Sequence, residues 1–310
     1  MPQVTNTILM IRPVDFRMNE ETVVNNYFQK KIENSSLDVN ELAQKEFDRF
    51  VEKLRKVGVE VIVVDDLKEL QTPDSIFPNN WVSFHNDGTV ALYPMFAENR
   101  RRERREDILE KLEANGFEIT EIMDYTSAEE EGKFLEGTGS LILDRVNRKA
   151  YCSLSSRADE DLLIEFCEDF EYTPVIFHSF QDVDGDRKPI YHTNVMMCVG
   201  TAFAVICLDS IDDKKERKNV IAHLKQDGKE IIEISEGQMH KFAGNMLQVE
   251  GAFEKQYLIM SQVARNSLTE NQLAHIENYC EILSSDLETI ETCGGGSARC
   301  MMAEIFLPKS

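Results

Sequence analysis

WVSFHNDGTVALYPM, residues 81–95, decides how this chain is read. Two short apolar runs flank Asn86-Asp87-Gly88. Glycine at such a point accepts the positive φ that a tight reversal demands, so the stretch predicts a β-hairpin. The same layout returns in SLILDRVNRKAYCSLS (140–155), in VMMCVGTAFAVICLDS (195–210, turning at Gly200) and in MLQVEGAFEKQYLIMS (246–261, turning at Gly251). A polar, partly helical stretch and a further apolar strand accompany these hairpins, as in VEVIVVDD (59–66), YTPVIFHSF (172–180) and KEIIEI (229–234). The hairpins start roughly 50 to 60 residues apart, a spacing that marks an internal repeat. A fifth unit begins at CMMAEIF (300–306) and is cut short, while the chain opens on the strand TNTILMIRP (5–13). Pairing of these last and first strands would close a ring of α/β units and cover sheet edges. An open α/β sheet whose hairpins merely resemble one another is the competing architecture.

The 310 residues are read as one domain, 1–310, with 42% hydrophobic residues, ordinary for a globular protein. Thirty-four basic against 56 acidic residues give a formal net charge of -22. Such a surface repels nucleic acid and anionic membrane, leaving a small molecule or a protein as partner. No apolar run approaches the ~20 residues that span a bilayer. Residues 1–13, MPQVTNTILMIRP, lack the basic start and apolar stretch of a signal peptide. The seven cysteines (152, 167, 198, 207, 280, 293 and 300) are odd in number and include no CxxC, which argues against a disulfide framework or zinc ribbon and for a cytoplasmic setting. Most sit in apolar strands and read as small core residues. The basic run at 99–116, NRRRERREDILEKLEANG, reads as the solvated start of a helix, because acidic residues interleave with the arginines.

The polar stretches that precede the hairpin strands carry the chemistry. They are PDSIFPNNW (73–81), FLEGTG (134–139), YHTN (191–194), FAGN (242–245) and GGGSARC (294–300). In a ring these converge on the axis. Cys300 is a nucleophile as thiolate and needs a proton acceptor. His192 holds the equivalent place in its own unit, and Glu136 holds it one unit earlier. Together they form a nucleophile, a base and a group that orients the base. The glycines before Cys300 would bring the backbone close to a ligand with N–H groups free to bind it.

In their order along the chain, PDSIFPNN, FLEGTG, HTN and GGGSARCM resemble the guanidino-group-modifying enzymes: arginine deiminases, dimethylarginine hydrolases, amidinotransferases and succinylarginine dihydrolases. The resemblance runs from Pro73 to Met301. It implies the pentein fold, a five-bladed α/β propeller of ββαβ-type repeats. It implies Cys300 as nucleophile, His192 as acid/base, Glu136 as partner of His192, and Arg157, in SLSSRAD, as the group that holds the substrate's α-carboxylate through its guanidinium fork. No metal site is apparent in the sequence, and this chemistry needs no cofactor.

The chain departs from the deiminase pattern at two places. Asn80 and Asn194 stand where deiminases carry acids around the substrate guanidinium, although dihydrolases also carry asparagine at the first. Burying a guanidinium without a counter-charge costs several kcal/mol, whereas a neutral ureido group needs only the donors and acceptors that a carboxamide supplies. The expected substrate is therefore citrulline, cleaved to ornithine, ammonia and carbon dioxide through a carbamoyl thioester on Cys300, as in the citrulline-utilisation hydrolase branch. An arginine dihydrolase or deiminase is the alternative, and a non-catalytic binding protein on the same fold is a third reading. Phe77 is either core or a wall for the substrate's aliphatic arm. Asp74 either anchors its loop or accepts from substrate N–H groups. Asn26, in VVNNYF, is placed in the same pore. Homo-oligomerisation is left open.

Overall fold

The computed structural model describes residues 1–30 and 38–309. Its strands fall into units that follow the predicted repeat. The first holds β1 (Thr7–Arg12) and β2 (Glu60–Asp65). The next two hold β3 (Val82–Phe84), β4 (Thr89–Leu92) and β5 (Glu121–Asp124), then β6 (Leu141–Asp144), β7 (Lys149–Ser153) and β8 (Thr173–Phe177). After a two-stranded hairpin of β9 (Phe180–Val183) and β10 (Asp186–Pro189) come β11 (Met197–Val199), β12 (Phe203–Ile206) and β13 (Glu230–Glu233). The last are β14 (Leu247–Glu250), β15 (Gln256–Ser261), β16 (Glu281–Ser285) and β17 (Ala303–Glu304).

Four units form three-stranded sheets in which a hairpin pairs antiparallel and its second strand pairs parallel with the third: β3-β4-β5, β6-β7-β8, β11-β12-β13 and β14-β15-β16. The fifth sheet, β17-β1-β2, draws on both ends of the chain. β17 lies antiparallel to β1, with Ile8 opposite Glu304 and Leu9 opposite Ala303, and β1 runs parallel to β2. The first and last strands pair as expected. The pairing completes one sheet and does not join the five into a single closed one.

Burial grades across each sheet. The first strands are short and buried, as are the central β7 and β12, whereas the third strand β5 is largely exposed. First strands of different units face one another, β17 against β3 and β11 against both β6 and β14. This position between neighbours explains why β3 and β6 are buried throughout rather than alternately. The helix Val39–Lys56 starts where Asp38 accepts from Asn40 N, and buries Ala43, Phe47, Phe50 and Leu54, spaced for one face. That face packs with Ile8, Met10, Val61 and Ile259, tying the first unit to the last.

The basic run departs from expectation. It forms a 3-10 turn, Glu98–Glu103, and then the helix Glu106–Ala114, but Arg100 is 2% exposed rather than solvated. All seven cysteines are buried and none forms a disulfide. Among the described residues, no helix is long and apolar enough to cross a membrane.

Candidate active site

Three of the five polar stretches before first strands, 73–81, 191–194 and 294–300, deliver residues to one small cavity. Asn80 ends the short 3-10 turn Pro78–Asn80 before β3, His192 caps the one-turn helix Thr193–Met196 before β11, and Cys300 lies just before β17. The cavity is lined by Asn80, His192 and Cys300, with Asn26, Asp74, Phe77, Arg100, Arg157, Tyr191 and Gly294, Gly295 and Gly296. The structure thus gathers every sequence-predicted residue there, with Glu136 and Asn194 one hydrogen bond behind His192 and Cys300.

His192 Nε2 lies 2.7 Å from Glu136 Oε2. Glu136 is wholly buried, and its other oxygen accepts from Phe96 N at 3.0 Å. Burial alone would push the Glu136 carboxyl up. Arg157, His192 and Arg100 more than offset this and hold it below the ordinary carboxylate range. Glu136 is therefore ionised, and the proton of neutral His192 sits on Nε2, leaving Nδ1 as the free acceptor. Burial lowers the His192 imidazole to about 4 against the opposing pull of Glu136.

Cys300 is 3% exposed, and its sulfur accepts from two carboxamides, Asn194 Nδ2 at 3.3 Å and Asn245 Nδ2 at 3.2 Å. Asn245 is fixed from both sides. It also donates to Asn194 O at 3.1 Å and accepts from Arg299 N at 3.0 Å. Among the described residues, Asn194 Oδ1 and Asn80 Nδ2 are buried without a partner, so an acceptor and a donor stand unused beside the Cys300 sulfur and the His192 ring.

The glycines do something other than expose N–H groups. A Cβ on Gly294 or Gly296 would lie 2.8–2.9 Å from the Phe77 ring, and one on Gly295, at φ +63°, would strike Asn26. Gly295 N is already bonded to Glu291 O at 3.0 Å. The run ends the helix Glu288–Gly294 in a left-handed turn and lets the Phe77 ring pack close against the loop before Cys300. Phe77 is thus core and cavity wall at once.

Arg157 is no surface group. It reaches Glu136 Oε2 at 3.4 Å and Thr22 O at 3.1 Å, bonds Asn25 Oδ1, and stacks over Tyr191 at 4.9 Å. Asp74 Oδ2 accepts from Asn19 (2.8 Å) and Thr22 (3.2 Å), while its Oδ1 has no partner. Asn26 Nδ2 donates to Gly294 O at 3.4 Å.

Three further site residues were not singled out in the sequence. Arg100 forms a fork on Glu103, at 2.8 and 2.9 Å, and bonds Asn80 Oδ1 at 2.8 Å. The interleaved acids disguised it. Tyr191, which donates to Gly295 O at 2.6 Å, and Asn245 lie inside YHTN and FAGN, and their places before β11 and β14 were the available signal. Among the described residues, no group of three or more His, Cys, Asp or Glu side chains forms a metal site.

Gly139 links the halves of the site. A Cβ there would lie 2.3 Å from Asn80 Nδ2 and 2.9 Å from the His192 ring. Gly139→Ala should cut turnover by roughly 10²-fold or more while costing only the ~1–3 kcal/mol typical of overpacking. Steady-state rates beside thermal denaturation check this. Turnover that falls only as far as the folded fraction does would contradict it.

Comparison with known proteins places this geometry. The model of the family described as N,N dimethylarginine dimethylhydrolase, eukaryotic, matches residues 12–307. A comparison with curated protein sequences finds no match. Among solved structures, the chain is similar to apo ArgZ, an arginine dihydrolase from the ornithine-ammonia cycle in cyanobacteria, with TM-score 0.74 and 18% identity over 98% of this chain and 41% of ArgZ. The chain therefore spans about two fifths of that relative, and aligns with its N-terminal domain, in the product-bound form, over 97% of this chain and 99% of the domain, at TM-score 0.72 and 18% identity. A dimethylarginine dimethylaminohydrolase adduct with S-methyl-L-thiocitrulline gives TM-score 0.63 at 13% identity, covering 97% of this chain and all of that one.

Proposed function

We infer the reaction from one premise: the chain belongs to the N,N-dimethylarginine dimethylhydrolase family, within the guanidino-modifying pentein superfamily. The five sheets are the blades of a pentein propeller, and residues 1–310 form one catalytic domain. Its activity is hydrolysis of C–N bonds at the central carbon of a guanidino amino acid, in the manner of an arginine dihydrolase. The relatives named above are arginine dihydrolases and a dimethylarginine hydrolase, which favours this alternative over citrulline as the sole substrate.

Cys300 thiolate attacks the guanidino carbon, and its negative charge offsets the substrate cation in a pocket with amides at Asn80 and Asn194. His192 Nδ1 takes the Cys300 thiol proton as the sulfur attacks and passes it to the departing nitrogen, ammonia leaves, and water that gives a proton to the same imidazole releases the ureido product and, as that proton returns to sulfur, the thiol. A second round on the ureido carbon expels ammonia again. It leaves a carbamoyl thioester whose hydrolysis gives a carbamate, which decays to carbon dioxide and the amine. Glu136 keeps the His192 proton on Nε2 and stabilises the imidazolium. Arg157 and Arg100 take the α-carboxylate, the unpartnered Asp74 Oδ1 takes the α-ammonium, Phe77 lies under the aliphatic arm, and Asn26 holds the glycine turn. The cavity has room for about one water, ≈ 10 Å³, so Asn19, Thr22 and Asn25 must give up their bonds to Asp74 and Arg157 as substrate enters.

The observation that carries this reading is the Cys300 sulfur held between two amide donors in one cavity with the His192–Glu136 pair. The same amides favour a second reading, in which only the neutral ureido compound is turned over. Ammonia counting separates the two. A dihydrolase releases two ammonia per arginine consumed and one per citrulline. Release from citrulline with none from arginine would establish the second reading, and release from neither would sink both.

A further inference from the structure

The fold buries four arginines, Arg100, Arg145, Arg157 and Arg299. Three have a carboxylate: Arg100 has Glu103 at 2.8 Å, Arg157 has Glu136 at 3.4 Å and Arg299 has Glu304 at 2.8 Å. Arg145, only 2% exposed, has none among the described residues. Its guanidinium lies over the Phe306 ring at 4.0 Å, and its one side-chain hydrogen bond goes to Met1 Sδ at 3.9 Å, a weak acceptor. The neighbouring Asp144 is turned away, to Lys229 at 3.1 Å and to Asn147 at 2.9 Å. A buried cation without a counter-charge costs several kcal/mol, which the fold here leaves unmet.

Arg145 lines a second cavity with Arg299, Gln3, Thr138, Val199 and Gln248, among others. Arg145 follows the end of β6, Val199 ends β11, and Gln248 and Glu304 lie on β14 and β17. Asn80, His192 and Cys300 precede first strands, so this cavity lies further along the same ring of strands, away from their starts. It still adjoins the nucleophile. Arg299 precedes Cys300, and its N–H goes to Asn245 Oδ1 while Asn245 Nδ2 goes to the sulfur. Two cations (Arg145 and Arg299) and one carboxylate (Glu304) line this cavity, an excess of one positive charge, while Lys229 and Asp144 pair with each other outside the lining. The free space is ≈ 30 Å³, enough for about two or three waters at 10–15 Å³ each, or for one small anion, and too little for an amino acid.

We propose that this cavity is a binding site for a small planar oxyanion of the size of formate or bicarbonate, held by the Arg145 fork and steadied by Arg299. A planar anion matches the two parallel donors of a guanidinium, and Ile142, Leu143 and Val199 give the cavity apolar walls beside the polar Gln3, Thr138 and Gln248. Bicarbonate is also what the carbon dioxide of the proposed reaction becomes in water, but the site does not depend on that reaction.

Thermal denaturation with sodium formate or sodium bicarbonate, at fixed pH and fixed ionic strength, tests this. At ten times Kd the midpoint should rise by about 2 °C. The rise should persist in Arg157→Met, which removes a cation from the other cavity, and vanish in Arg145→Met. Arg145→Met should also unfold at a higher temperature than the parent in anion-free buffer, because it deletes an unmatched buried charge. Should that variant not fold, Arg145→Lys keeps the charge and loses the fork, and should weaken formate at least tenfold. A shift lost in Arg157→Met but kept in the Arg145 variants assigns the anion to the active site and overturns the proposal. No shift at all means the cavity holds water only, and overturns it equally. If formate binds yet no guanidino or ureido compound releases ammonia, only the catalytic reading falls.

Discussion

Cys300→Ala should abolish ammonia release, lowering kcat by at least about 10⁴-fold, the scale on which a nucleophile working with a base fails when deleted. The protein should stay folded. The change removes one sulfur from a well-packed wall and leaves the Nδ2 groups of Asn194 and Asn245 short of an acceptor. Asn245 keeps its bond to Asn194 O, so the loss falls mainly on one amide, at a cost of ~1–3 kcal/mol. His192→Gln should come close to the same loss, since without it no proton reaches the leaving nitrogen, and the double variant should be hardly worse than either single one. Multiplicative losses would instead mean that the two groups act in separate steps. Substrate affinity is the complementary readout. Arg157, Arg100 and Asp74 remain in Cys300→Ala, so calorimetry should still detect substrate binding where turnover has gone. A variant that binds substrate and releases ammonia at the parent rate would mean that Cys300 is a core residue like the other six cysteines.

Why Cys300 was legible before any coordinates, and Arg100 was not, has a physical cause. A β-hairpin is specified locally. Asn86-Asp87-Gly88 turns because Gly88 takes φ +89°, and the neighbouring apolar residues set the register of Val82 against Leu92. Four such hairpins fixed where the first strands begin, and hence which polar residues, His192 and Cys300 among them, meet at their starts. The strands β2, β8 and β13 followed from the apolar runs VEVIVVDD, YTPVIFHSF and KEIIEI, whereas β5, EIMD and largely exposed, offered no such run. Burial of a charged side chain is decided by tertiary packing. Arg100 is drawn inward by Glu103 and by the carbonyls of Asp74 and Phe77, contacts that no pattern in NRRRERRED reveals. The β9-β10 hairpin passed unnoticed for another reason. Its Asp184-Gly185 turn signal is as strong as the one at Asp87-Gly88, but the flanking strands are short and mostly polar, with Asp186 and Arg187 exposed. The preference for citrulline over arginine was argued from Asn80 and Asn194 alone, and that argument left out the charge that a Cys300 thiolate would offer a cationic substrate.

Substrate preference should turn on that charge, and Asn194→Asp gives it the second large effect. The carboxamide donates to Cys300 Sγ at 3.3 Å and keeps Oδ1 free for a ligand. A carboxylate there would withdraw the donor and set a second negative charge beside the sulfur, disfavouring the thiolate in the free enzyme. For citrulline nothing compensates, and kcat/KM should fall at least about 10²-fold, equivalent to ~2.7 kcal/mol. For arginine the new anion pairs with the guanidinium as it binds, so the loss should be smaller by at least a factor of about ten. Asn80→Asp should shift preference the same way but more weakly, because Arg100 Nη1, 2.8 Å from Asn80 Oδ1, would neutralise the added charge. Paired kcat/KM values for the two substrates, in the parent and both variants, decide the matter. Equal losses on arginine and citrulline would mean that Asn194 serves the sulfur alone and that the charge of the bound carbon is read elsewhere in the cavity. In that case Asp74, with an oxygen free and its carboxyl pushed up by burial, becomes the residue to change.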